Sequence, residues 1–417
     1  MAKVFSPKIF NDPVYGFITI SDPLIQHLLD HPWFQRLGRI AQGGMTYLVY
    51  PGAQHTRFHH ALGATYLMEQ ALNALERKGT EISKEERQAA LAAILLHDLG
   101  HGPYSHTLEG SIMPGVHHER LSLQMMQRLN EEFHQSLDLA IAIFKGEYPR
   151  TFFNQLVSSQ LDVDRLDYLM RDSFYTGVAE GIIGSERIIK MMRVVDDKLV
   201  IEEKGIYSVE KFLIARRLMY WQVYLHKTVL GAEAMLHEIF RRARHVVLED
   251  PNLFGTPALR GLLYAKGQEH SSDDLLDWFT QLDDTDVMAS IKVWSNHKDP
   301  VLSDLCQRIL HRRLLKIRLQ VPEIPEDFVH ECRKKSAQVL GLSPEDTTYF
   351  VQTGSVANQG YDTSKGEIEI YMKSGKLLNF FEASDNLAPE NLSKKVVKHY
   401  VCFPKEILPL DIWPQAH

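Results

Sequence analysis

The chain has no apolar run approaching the roughly 18 residues that a membrane-spanning helix needs. Its first residues, Met1-Ala2-Lys3-Val4-Phe5, lack the long apolar stretch of a signal peptide. Cysteine is scarce: Cys306, Cys332 and Cys402 are the only three in 417 residues, too far apart for a zinc or disulfide pattern. These absences lead us to expect a cytoplasmic protein in a reducing compartment, with no membrane partner. Positive charge is not in excess either. The 46 lysines and arginines are outnumbered by 53 aspartates and glutamates, for a net charge of −7. That disfavours an extended duplex-binding face, because phosphate contacts dominate such affinity. Nucleic acid stays a lesser alternative as a partner. The basic clusters Arg241-Arg242-Ala243-Arg244 and His311-Arg312-Arg313 read as solvated helix faces, or more sharply as polyphosphate sites.

What is present is an ordinary globular composition, 44% hydrophobic and 24% charged. It suits one large helical domain plus a smaller part. Asn11-Asp12-Pro13 and Gly16 mark the turn of a hairpin over 8–20. Asp22-Pro23 opens a helix to about Asp30, and Pro32 restarts another. Helices are expected over 57–78, 84–97, 117–130, 136–144, 151–159, 164–176 and, as one long element, 208–245. The region 250–342 reads as mostly helical, and strands are expected at 349–353, 367–371 and 398–402. The expected fold is mainly α: a helical core with a short N-terminal β-hairpin and a small α+β C-terminal part. The expected division is 1–245, 246–342 and 343–417.

Three places carry chemistry. His97-Asp98 ends an almost wholly apolar helix, where burying a lone charge is expensive and a divalent metal would satisfy both. By itself such a dipeptide is weak evidence, because a bonded core pair explains most of them. On the helix from Arg57, residues 57, 60, 64, 67 and 71 share a face whose apolar members turn Arg57 and His60 inward. In Leu161–Asp172 the i, i+4, i+8 spacing aligns Asp164, Tyr168 and Asp172. Together these give His60, His97, Asp98 and Asp164, two imidazoles and two carboxylates suited to iron, manganese, nickel or zinc.

The order His60 … His97-Asp98 … Asp164 resembles the H…HD…D signature of HD-domain phosphohydrolases. The likeness extends through Asn11-Asp12-Pro13-Val14-Tyr15-Gly16, Phe34-Gln35-Arg36-Leu37, Tyr50-Pro51-Gly52-Ala53, His55-Thr56-Arg57-Phe58, His97–Pro103 and Asp164–Tyr168. Over about residues 8 to 230 the chain resembles the deoxynucleoside triphosphate (dNTP) triphosphohydrolases, both dGTPase-like and SAM-and-HD-domain types, without the SAM domain. The resemblance implies an HD-domain core and hydrolysis of a dNTP to the deoxynucleoside and inorganic triphosphate. It makes His60, His97, Asp98 and Asp164 the ligands of one divalent transition metal, with magnesium able to accompany the substrate triphosphate. It gives His101, His106, Glu109 and His118 the catalytic roles around the α-phosphate, where a histidine can protonate the leaving oxygen. Arg57 and Arg165 would hold phosphate oxygens. Gln42, Tyr168, Asp172, Arg216 and Tyr224 would line the substrate pocket, with Tyr224 under the sugar. Arg216, Tyr220 and Tyr224 fall at i, i+4 and i+8 on one helix face. The resemblance also implies a homo-oligomer, dimer or tetramer, with nucleotides between subunits.

Two departures stand out. His59 replaces a glutamate common in the family, and Gly38 replaces an arginine that reads a guanine in nucleotide-activated relatives, while Lys8 and Asp30 still match. Activation by GTP is therefore not expected. Two other readings fit the metal set: a nucleotidase or phosphodiesterase on the same scaffold, and a non-catalytic nucleotide sensor.

Overall fold

Asp12 turns the chain near its start. Its Oδ1 accepts from the amides of Val14 and Tyr15, each at 3.0 Å, and Gly16 supplies a φ of 78°. The turn closes β1 (Lys8–Asp12) onto β2 (Gly16–Ile20) as an antiparallel hairpin. This is a computed structural model, and it describes residues 6–104, 107–112, 117–265, 272–361, 366–385 and 393–408. Helices α1 (Pro23–Asp30) and α2 (Pro32–Arg36) follow, each with proline in its first turn. The core is built on α3 (Arg57–Glu76), α4 (Lys84–Leu96), α5 (Glu109–Ile112), α6 (His118–Glu132), α7 (Asp138–Lys145), α8 (Phe152–Val157) and α9 (Val163–Thr176). Ser83 and Glu86 cap α4 reciprocally. At the start of α3 the ring of His59 does the same work: its Nδ1 accepts from the amide of Thr56 at 3.1 Å. The departure at His59 thus keeps the capping box that an acid would form.

After α10 (Ser185–Met191) comes a hairpin, β3 (Met192–Val195) and β4 (Lys198–Glu202), in a stretch outside the elements expected from the sequence. Its turn is Asp196-Asp197, both at positive φ, which aspartate tolerates better than most residues. The single helix expected over 208–245 is three pieces. α11 (Ile206–Met219) runs into a π-helical turn at Tyr220–Tyr224, and α12 (Lys227–Glu249) begins after His226, whose ring accepts from Thr228 N at 3.2 Å. Apolar periodicity runs through both segments, so it could not reveal the break.

The helices α13 (Pro257–Tyr264), α14 (Ser272–Phe279), α15 (Asp284–Trp294) and α16 (Pro300–Leu310) precede β5 (Lys316–Gln320) and α17 (Glu326–Leu340). The C-terminal part holds β6 (Gln352–Asn358), β7 (Glu369–Tyr371), β8 (Leu377–Asn379), α18 (Phe380–Ala383) and β9 (Val396–Phe403). Two sheets cross the expected divisions. β4 pairs in parallel with β7, and β5 pairs antiparallel with β9, which also holds β6. No helix among the described residues is long and apolar enough to cross a membrane. The basic run on α12 is half-buried and partnered within the chain: Arg242 pairs with Asp299 and Asp346, Arg241 with Glu238, and Arg244 bonds the carbonyls of Ser111 and Ile112. In the second cluster Arg312 bonds the Leu48 carbonyl.

Candidate functional site

The long helices α3 and α9 pack together and the end of α4 meets them. His60, His97 and Asp164 are delivered to one point by these three elements. Both imidazoles are fixed through Nδ1: His60 to Asp167 Oδ2 at 2.7 Å, His97 to the Ile94 carbonyl at 2.6 Å. Each therefore turns Nε2 inward, as metal-ligating histidines do. Those two Nε2 atoms are buried and make no hydrogen bond of acceptable geometry, although Asp164 Oδ1 lies 3.1 and 3.6 Å away. One donor atom from each residue falls within 4.8 Å of the others. Two imidazole nitrogens and a carboxylate oxygen suit a divalent transition metal. Burial lowers the proton affinity of His60, but Asp164 and Asp167 outweigh it and lift the ring to about 10. A cation at the same point would take the place of that proton.

Asp98 borders this cluster but is turned differently. Its Oδ2 is 2.5 Å from Arg57 Nη1 and 3.8 Å from His60 Nε2, and its Oδ1 is 3.3 Å from His97 Nε2 and 3.2 Å from His101 Nε2. Burial opposes its charge, yet His97, His101 and Arg57 hold it well below the usual carboxylate range. The buried Arg57 thus has Asp98 as an anion already.

Behind His60 stands a network that spacing alone did not suggest. Asp167, fully buried, accepts from His60 and from Arg171 Nε and Nη2, each at 3.0 Å. Arg171 also reaches Asp12 in the hairpin turn at 2.7 Å. This chain of charges crosses α3 at Gly63, where an added Cβ would lie 2.1 Å from both Arg171 Nη2 and Asp167 Oδ1. The legible signal was the Asp167–Arg171 i, i+4 pair, one residue off the line formed by Asp164, Tyr168 and Asp172.

Beside Asp98, His101, Glu109 and His118 come together. The rings of His101 and His118 stack at 4.0 Å, and Glu109 Oε1 sits 2.9 Å from His118 Nδ1 and accepts its amide at 2.8 Å. Burial and Arg57 push His101 well below the usual histidine range, against the pull of Asp98. His106 lies outside the described residues.

Farther along α9 both oxygens of Asp172 are taken, one by His55 Nε2 at 2.6 Å and one by the Tyr224 hydroxyl at 2.6 Å. His55 stacks on Tyr175 at 4.4 Å; it was not singled out from the sequence as a site residue. Rings run from the metal point outward: His60 to Tyr168 at 6.5 Å, Tyr168 to Tyr224 at 6.0 Å, Tyr224 to Tyr220 at 5.1 Å. Arg216 lies over Tyr220 at 5.9 Å. The π turn sets the offset between Tyr220 and Tyr224, and such turns are frequent at functional sites. Arg165 pairs with Asp162, which caps α9. Buried atoms without a partner recur here: Gln42 Oε1, Arg165 Nε, and Arg216 Nε and Nη1.

The HD domain matches residues 57–171, and the HD associated region matches residues 183–253. A crystal structure of a phosphohydrolase from Bacteroides thetaiotaomicron is 52% identical, with a TM-score of 0.92 over 95% of this chain and 100% of its own. The uncharacterised protein YwfO of Bacillus subtilis is 32% identical over 97% of this chain and 94% of its own length. The deoxynucleoside triphosphate triphosphohydrolase SAMHD1 homolog of Dictyostelium discoideum is 30% identical over 60% of this chain and 53% of its own length.

Proposed function

The chain belongs to the HD-domain phosphohydrolases, and from that premise we propose that it hydrolyses dNTPs to deoxynucleoside and inorganic triphosphate. One observation carries the reading. Among the described residues ten buried side-chain polar atoms lack a partner, and six belong to Gln42, His60, His97, Arg165 and Arg216. Leaving such atoms unpaired costs about 1–3 kcal/mol each, so their concentration in one place argues for a ligand that satisfies them. A metal answers the imidazoles, and a polyanion answers the arginines. Relatives named as dNTP triphosphohydrolases support the substrate class.

His60, His97 and Asp164 would hold the divalent cation, with Asp98 beside them, and the cation supplies Lewis acidity toward a phosphoryl oxygen. Arg165 and Arg216 take anionic oxygens. Arg57, anchored on Asp98, would hold a further phosphate oxygen. The His101–His118–Glu109 stack stands next to Asp98, where it can pass a proton to the departing 5′-oxygen. Tyr224, its hydroxyl held by Asp172, would pack under the sugar and exclude a 2′-hydroxyl. A cytoplasmic setting goes with this reading, supported by three buried, unpaired thiols. So does a homo-oligomer, for which exposed Ile9 and Phe17 on the hairpin supply an apolar face.

The test is incubation of manganese-loaded protein with each dNTP and NTP, followed by chromatography. Inorganic triphosphate and deoxynucleoside are expected. Release of pyrophosphate or orthophosphate instead would move the chain to another phosphohydrolase activity.

A further inference from the structure

Helix α15 lies beyond both matched family segments, yet it reaches the site. Its N-terminus is capped by Asp283, whose carboxylate accepts from Thr285 N at 2.9 Å and whose own amide donates to Asp286 Oδ2 at 2.7 Å. Asp284 is therefore not needed to start the helix. Its side chain turns away and accepts two backbone amides from distant loops: Ala41 N at 2.8 Å on Oδ2 and Tyr104 N at 2.9 Å on Oδ1.

Each amide belongs to a segment that carries site residues. Ala41 is bridged to Thr56, with Gln42 N bonded to the His55 carbonyl and Arg57 N to the Ile40 carbonyl, each at 3.0 Å. This short ladder sets Gln42, His55 and Arg57. Tyr104 lies in the same loop as His101. It is a buried tyrosine at φ 49°, a left-handed conformation costing on the order of 1–2 kcal/mol for a residue with a Cβ. The loop's other half is pinned by buried Arg36, whose guanidinium donates to the carbonyls of Leu99 and His101 at 3.0 Å, and to Leu282 beside α15 at 2.9 Å. Burial lifts the Asp284 carboxyl to about 6 against the pull of the two amides, so it is ionised at neutral pH and both bonds are charge-assisted.

We propose that Asp284 is a positioning residue for the hydrolysis, a single carboxylate outside the HD domain that fixes the substrate-holding ladder of Gln42 and Arg57 against the proton-transfer loop of His101. Among the described residues its side chain bonds the Ala41 and Tyr104 amides and not the metal cluster. Removing it should misplace the two halves while leaving His60, His97 and Asp164 in register.

This inference rests on the hydrolase reading, so the experiment has an arm that does not. Asp284→Ala and Asp284→Asn are compared with Asp283→Ala, which loses the cap of the same helix but leaves the clamp. Hydrogen exchange at the Ala41 and Tyr104 amides should rise in the Asp284 variants and not in Asp283→Ala. That arm tests the clamp even if no dNTP is turned over. With turnover, Asp284→Ala should lower kcat about 10- to 100-fold with KM changed less than about threefold and manganese content unchanged. Asp284→Asn keeps one acceptor oxygen and should fall between, and it carries the test if the alanine variant does not fold. Asp283→Ala should lose stability with kcat nearly intact. Equal kcat losses in the Asp283 and Asp284 variants, or unchanged amide protection, would overturn the proposal.

Discussion

Gly63→Ala is the most informative single perturbation of this site, because it adds one methyl group and touches neither a ligand nor the substrate space. The new Cβ would sit 2.1 Å from Arg171 Nη2 and 2.1 Å from Asp167 Oδ1. Neither is the loose end of a flexible side chain. Arg171 and Asp167 are fully buried and bonded to each other, to His60 and to Asp12. Something must move by more than an ångström, and the movable partner is the ion pair. Displacing a buried pair costs about 3–5 kcal/mol when a charge is left without its partner. It also frees the His60 ring, and loss of such an orienting carboxylate typically weakens metal affinity about 10- to 100-fold. We therefore expect Gly63→Ala to fold with a lowered Tm and to bind manganese at least about tenfold more weakly. The assay is calorimetric titration of metal-stripped protein, with Asp167→Asn as the companion variant. Gly63→Ala protein with parental manganese affinity and parental Tm would refute the reasoning, since it would mean that the network does not hold His60.

Asp98→Ala should abolish hydrolysis while circular dichroism stays helical; because Arg57 then loses its anion, the Tm should also fall. Elemental analysis separates two cases, and full metal occupancy in that variant would remove Asp98 from the ligand set. Tyr224→Ala should admit ribonucleotides, and equal parental rates on ATP and dATP would sink the assignment of Tyr224 to the sugar. Glu233 is lifted by burial to about 7 from an ordinary 4.5, so the folded state holds its proton longer than the unfolded one and stability drains as pH rises through that window. Glu233→Gln should therefore gain Tm relative to the parent between those pH values and hold a constant advantage above them; a pH-independent difference would contradict this. Light scattering should give a homo-oligomer whose size and activity change little with added dGTP or GTP. A strict GTP requirement would show that Gly38, which has open space around it but for Phe58 Cβ at 3.9 Å, does not remove the control that an arginine gives.

Much of the site was legible before any fold was known. Helical periodicity turned His60 inward, the apolar run before His97 announced a buried end, and the i, i+4, i+8 line of Asp164, Tyr168 and Asp172 gave the facing helix. These are local facts, because a helix fixes which residues share a face whatever it packs against. The mainly helical class and the hairpin turn at Asp12 were local in the same sense.

What the tertiary structure alone decided depends on residues distant in sequence. Asp98 reads as a ligand in a list of motifs, but its rotamer is a contest among Arg57, His97 and His101, and only packing sets the outcome. Asp167 and Arg171 are an i, i+4 pair in sequence, and only the packing of α3, with Gly63 against them, makes them the support of His60. The break at Tyr220–Tyr224 and the pairing of β4 with β7 left no periodic trace, since both segments keep the apolar pattern that a continuous helix or an isolated strand would show. Asp284 is the clearest case: in sequence it is a second acid at a helix start, and its role comes wholly from the meeting of Ala41 and Tyr104 at that helix end. Sequence determines the elements and the faces they bury; which buried polar group satisfies which is a property of how those faces meet.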